Sequence, residues 1–157
     1  MGRVTAIELP PDSLLAGFGG AGDYRDCFAR EVPNPAGREV TLADYIEQFY
    51  CSMAFRPERL VLGLIARGAT DADARALARG ETDRIAVWEV VERDDTQILL
   101  HAKGTGTASW LAVEPGPSST RLLFGSWVGN LEQSWWRFTA QPHQWYSRVL
   151  LSGVRFR

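Results

Sequence analysis

The chain has 157 residues, 45% of them apolar and 23% charged, close to the average of globular proteins, which excludes wholesale disorder and provides for one well-filled core. A formal charge of −2 gives no basic field, which argues against nucleic acid as a partner. No apolar run approaches the roughly 18 residues of a membrane span and no basic-then-apolar signal opens the chain, so the expected location is cytoplasmic with no transmembrane segment.

Residues 1–22, ending in Gly17-Phe18-Gly19-Gly20-Ala21-Gly22, read as an N-terminal arm and Gly-rich loop, and 23–157 as a single domain. Tyr24–Glu31 reads as a strand stopped by Pro33, Asn34, Pro35 and Gly37. Thr41 with Asp44 forms a capping-box pattern, the hydroxyl holding the third helical amide while the carboxylate answers to the cap amide. Leu42, Tyr45, Ile46, Phe49, Tyr50 and Met53 follow as one helical stripe. A second helix is expected from Pro57 to Gly68, and Thr70 with Asp73 opens an alanine-rich third, ending at Gly80 and placed on the outside.

From Arg84 the period becomes that of strands: Arg84–Glu92, Thr96–Lys103, Gly106–Glu114 and Thr120–Val128, joined by connections short enough for antiparallel neighbours only. If Lys103 faces Gly106 across the turn, the facing pairs include Ile98–Leu111, Leu100–Ser109 and His101–Ala108. That parity collects Ala86, Trp88, Val90, Ile98, Leu100 and Leu111 on one sheet face and Glu89, Gln97, His101 and Lys103 on the other. The aromatic segment Trp135-Trp136-Arg137-Phe138 comes next. After Pro142 a long amphipathic helix is expected, with Trp145, Tyr146, Val149 and Leu150 buried and Gly153 as its stop. Helices on one face of a curved antiparallel sheet make an α+β domain.

This order resembles the helix-grip fold, in which a curved antiparallel sheet grips a long C-terminal helix, as in START domains, the birch-pollen allergen family and polyketide cyclases. The segments carrying the likeness are Asp23-Tyr24-Arg25-Asp26, Trp88-Glu89-Val90, Thr120-Arg121-Leu122-Leu123-Phe124 and Pro142-His143-Gln144-Trp145-Tyr146-Ser147-Arg148. Within that superfamily (also called SRPBCC) the chain looks like a bacterial branch from which no activity carries over. The resemblance implies an apolar cavity between the sheet and the final helix, suited to a lipid or another small hydrophobic molecule.

Few residues point to chemistry. Gly17, Gly19 and Gly22 match the spacing of a dinucleotide loop, but two prolines precede them and a strand follows, the reverse of what a pyrophosphate site needs. Cys27 and Cys51 read as buried reduced thiols, and two histidines 42 residues apart with no clustered acids give no metal site. His101, mid-strand, and His143, in the first turn of the expected final helix, are the weak catalytic candidates, because an imidazole can be tuned to move protons near neutral pH.

Six tryptophans are the clearest excess. The expected function is binding of a small hydrophobic ligand lined by Trp88, Leu100, Ser109, Phe124, Trp145 and Tyr146, with no cofactor and no metal. Two alternatives stay open. One is a cyclase, dehydratase or isomerase working through a cavity histidine. The other is a non-catalytic homodimer with a filled core, joined through Trp135, Trp136 and Phe138.

Overall fold

The computed structural model describes residues 2–52, 70–129, 148 and 151–156. Its centre is one seven-stranded antiparallel sheet. In chain order the strands are β1 (Thr5–Ala6), β2 (Tyr24–Pro33), β3 (Arg84–Ile85), β4 (Trp88–Arg93), β5 (Gln97–Ala102), β6 (Thr107–Pro115) and β7 (Ser119–Val128). Across the sheet they run β1-β2-β7-β6-β5-β4-β3, so β2 lies beside the last strand while β3 to β7 form a meander. The two edge strands are only two residues long. Helix α1 (Leu42–Cys51) and helix α2 (Asp71–Ala78) follow β2.

Both helices begin as their sequences dictate. The Thr41 hydroxyl accepts from the Asp44 amide at 3.1 Å and the Asp44 carboxylate accepts from the Thr41 amide at 2.9 Å; Thr70 and Asp73 repeat the arrangement. These bonds satisfy amides that a helix start leaves without partners. α1 buries Leu42, Tyr45, Ile46, Phe49 and Tyr50 against the sheet. α2 packs against α1 and buries Ala74, Leu77 and Ala78.

The sheet is covered on both faces. On the helix side, Phe28, Val32, Ile98, Leu100, Leu111, Val113, Leu122 and Phe124 join the helices in one core, where Phe49 stacks on Phe124 with centroids 5.1 Å apart. On the other side the N-terminal arm lays Leu15 into a second core of Cys27, Ala29, Leu99, Trp110, Ala112, Leu123 and Trp127. The pairs Ile98–Leu111, Leu100–Ser109 and His101–Ala108 occur in the register that the short turn predicts.

Two expectations need correction. A curved sheet gripping a long C-terminal helix is not the architecture: near the C-terminus the described helical residues are Arg148 and the turn 151–153. An amphipathic stripe says which face a helix would bury, whereas its formation rests on tertiary packing. The 151–153 turn is held by a side chain from β2: Arg30 donates Nη1 to the carbonyls of Leu151 (2.9 Å) and Ser152 (3.1 Å), and to Val154 just beyond (2.7 Å). The run Arg84–Glu92 is likewise a hairpin instead of one strand. Ile85 pairs with Trp88, and Ala86 takes a left-handed φ of 52° in the turn, so it does not share the face of Trp88 and Val90. The expected helix from Pro57 to Gly68 and the segment Trp135–Phe138 lie outside the described residues.

Candidate functional site

The registers β2–β7, β7–β6, β6–β5 and β5–β4 place Asp26, Ser126, Ser109, Leu100 and Val90 in one row across the helix-side face. Facing Cβ atoms in such a row are about 4.5–5.5 Å apart. On one side it is flanked by the apolar row Phe28, Phe124, Leu111 and Ile98, on which α1 sits. On the other it is flanked by Tyr24, Val128, Thr107 and Ala102. The row thus sets the polar groups of Asp26, Ser126 and Ser109 beside the apolar surface on which α1 sits.

Two of them are organised. The Tyr24 hydroxyl donates to Asp26 Oδ2 at 3.0 Å, and the Ser126 amide donates to Asp26 Oδ1 at 3.0 Å. Ser126 is 2% exposed, and its hydroxyl finds no hydrogen-bond partner among the described residues. A buried hydroxyl left unmatched costs roughly 1–3 kcal/mol, so its retention calls for an account.

Four of the six expected lining residues share this face. Leu100 is fully buried, Ser109 and Trp88 are half-buried, and Phe124 is buried beneath Phe49. Phe124 is thus core packing under α1, while Trp88, Leu100 and Ser109 lie at or beside the polar row. Trp145, Tyr146, His143 and the dimer candidates Trp135, Trp136 and Phe138 lie outside the described residues. Sequence reasoning singled out neither Ser126 nor Asp26 as a binding group; the signal available was a serine alternating with Phe124 and Val128 on one face of β7.

His101 stands on the opposite face, as its parity predicts. It faces Glu89 across the β4–β5 ladder and packs edge-on against Phe18 and Trp127, with centroids 5.1 and 5.7 Å away. Burial, then the positive charge of Lys103, lowers its pKa, with Glu89 opposing. It holds the arm in place, away from the polar row. Cys27, on this same face, is pushed up to about 12, first by burial and then by Asp26, which leaves its thiol protonated and unreactive.

The glycine-rich loop is tied down by its own strand. Arg25 donates to the carbonyls of Phe18, Gly20, Asp23 and Leu15, and Asp23 Oδ2 accepts from the Gly20 amide at 2.6 Å and the Trp127 indole at 2.9 Å. Its carbonyls face a guanidinium, the wrong polarity for a phosphate cradle. Under the arm, a void of about 90 Å³ beside Pro10, Ser13, Gln97 and Trp110 has room for a few waters, each needing about 30 Å³.

Among the described residues no group of three or more His, Cys, Asp or Glu side chains could hold a metal, and no helix is long and apolar enough to cross a membrane. Comparison with protein-family models, curated proteins and solved structures finds no match to this chain.

Proposed function

We propose that this chain binds a small, largely apolar molecule on the helix-side face of the sheet, with one polar group of the ligand engaging the Ser126 hydroxyl. The observation that carries this reading is the buried Ser126 Oγ without a partner, beside Ser109 and the Tyr24-held Asp26 carboxylate. Leu100, Val90 and Trp88 would supply the apolar contact, worth about 25 cal/mol for each Å² removed from water. One hydrogen bond, worth roughly 0.5–1.5 kcal/mol, would fix orientation more than affinity.

The test is native mass spectrometry of freshly purified protein, followed by extraction and identification of what is released. A reproducible adduct of a lipid, fatty acid or aromatic compound is expected, and a clean apo mass rejects the reading. With the released compound in hand, Ser126→Ala is expected to weaken its binding about two- to tenfold while leaving the fold as stable as before or more so. Unchanged affinity would move the ligand away from Ser126.

A further inference from the structure

Granted the ligand proposed for the helix-side face, on which this step depends, we infer that its polar group is uncharged and both donates and accepts hydrogen bonds. A hydroxyl or a primary amide fits that description; a carboxylate does not.

Two serines face each other on this part of the sheet. Ser109 and Ser126 are partners in the β6–β7 register, and both point to the helix side, Ser126 alternating with Phe124 and Ser109 with Leu111. Their Cβ atoms are therefore about 4.5–5.5 Å apart. The Ser126 hydroxyl is buried without a partner, and that of Ser109, half-buried, forms no hydrogen bond to any described residue. A hydroxyl offers one donor and two acceptor sites, so the pair can bracket one small polar group and meet it in either sense. Tyr24, Asp26 and Ser109 are half-buried while Ser126 is covered, so the row meets solvent on both sides of the unmatched hydroxyl.

The third neighbour decides the charge of that group. Asp26 stands next to Ser126 in the row, and its Oδ1 lies 3.0 Å from the Ser126 amide. Ordinary bond lengths then place the carboxylate within about 6 Å of the Ser126 hydroxyl. Each of its oxygens accepts a hydrogen bond, one from that amide and one from Tyr24, as an ionised carboxylate does. A second carboxylate seated on the two serines would face Asp26 at a range where like charges repel strongly under partial burial. A hydroxyl or an amide meets no such opposition, and its own O–H or N–H finds an acceptor in Asp26 or a serine. Arg148 brings a positive charge to this face, but it stands exposed over the Phe28 ring, 5.4 Å from the centroid, where water and salt screen it.

Titration calorimetry of the full chain near neutral pH with 1-octanol, octanamide and octanoate tests this, the three differing only in the head. Octanol and octanamide are expected to bind one to one, at least tenfold tighter than octanoate. An uncharged head also leaves water more readily, so the deciding measurement is Asp26→Asn: octanoate should tighten at least fivefold while octanol changes less than twofold. Octanoate as tight as octanol, or no tighter in the variant, would each overturn the assignment. A preference for octanoate that disappears in Arg148→Gln would give the head to that guanidinium and overturn it as well. An Asp26→Asn protein with a lowered melting temperature is replaced by Ser109→Ala, expected to weaken octanol about two- to tenfold; an unchanged affinity is equally fatal. Binding of none of the three compounds also overturns it, while the broader ligand reading is decided separately by whether native mass spectrometry shows an adduct.

Discussion

The two faces of the sheet are covered by different means. Among the described residues, twenty buried side chains join the sheet and two regular helices in one core on the helix side, and nine lie beneath irregular chain on the arm side. A helix satisfies its own backbone except at its ends, so α1 and α2 need partners only there: the threonine caps at their starts and, for α2, Arg93 at the carbonyls of Leu77 and Ala78. An irregular cover has no such ladder and must borrow partners from the sheet. Gln97 Oε1 accepts from the Leu14 amide at 2.9 Å and from the Trp110 indole at 2.8 Å, Arg25 serves four carbonyls, and Asp23 holds an amide and an indole. Covering a sheet with a loop thus commits several polar side chains of the strands to the cover, whereas on the helix side the Ser126 hydroxyl finds no partner among the described residues.

The sharpest way to break this contrast is to cut equal leucines from the two faces. Leu111→Ala, under α1, is expected to cost about 2–5 kcal/mol in urea denaturation. Leu15→Ala, equally buried, should cost less, because its loss is capped by the free energy with which the arm docks. Equal losses in one cooperative transition would show that arm and sheet unfold together. Next in size is Gly19→Ala. Gly19 has a φ of +77° and a Cβ there would strike the Trp127 indole, so about 1–3 kcal/mol of strain is expected, read out as faster amide exchange confined to residues 5–23. On the helix side, Thr41→Ala should cost about 1 kcal/mol, and Thr41→Ser should restore most of it.

The smallest effects are those of pH, and they belong to the arm side. Asp23 is held below the usual carboxylate range by the Gly20 amide, then the Trp127 indole and Arg25, with desolvation working against them. Its contribution is complete above the ordinary value of about 3.9 and is lost as pH falls through the lower folded value. Asp23→Asn should therefore flatten the acid limb of a melting-temperature profile. His101 is also lowered, so the unfolded chain takes up its proton first and stability drops as pH falls below about 6.5. His101→Gln should remove that slope; an unaltered profile would exclude the imidazole as its source.

How much of this was legible depended on whether a feature had a local signature. The two capping boxes and the β5–β6 register follow from a few adjacent residues, and both were read correctly. The hairpin at Ala86-Val87 carries no glycine, asparagine or proline, so Arg84–Glu92 read as one strand. The arm has no period, so its role as a second cover could not be seen, although the parity that sends His101 and Gln97 toward it could. Arg30 meets carbonyls 121 to 124 residues away, a pairing without any sequence pattern. The same absence misled the reading of the C-terminus, where a good stripe suggested a long helix. Of the site, Trp88, Leu100 and Ser109 were legible by alternation; Ser126 was not, because only the assembled face shows that its hydroxyl goes unmatched.

The brevity of β1 and β3 has a consequence for behaviour in concentrated solution. An open sheet offers unpaired N–H and C=O groups along its edges, a template on which further strands can add. Two residues at each edge are too few to start such growth. The stretch of β4 that β3 leaves uncovered is broken by the irregularity between Val90 and Glu92 and carries charge at Glu92 and Arg93, with Val91, at 48% exposure, projecting between them. Arg93 is itself drawn to the carbonyls of Leu77 and Ala78 at the end of α2, at 2.6 and 2.7 Å. Lateral stacking of one molecule on the next is thereby discouraged along the β3–β4 margin.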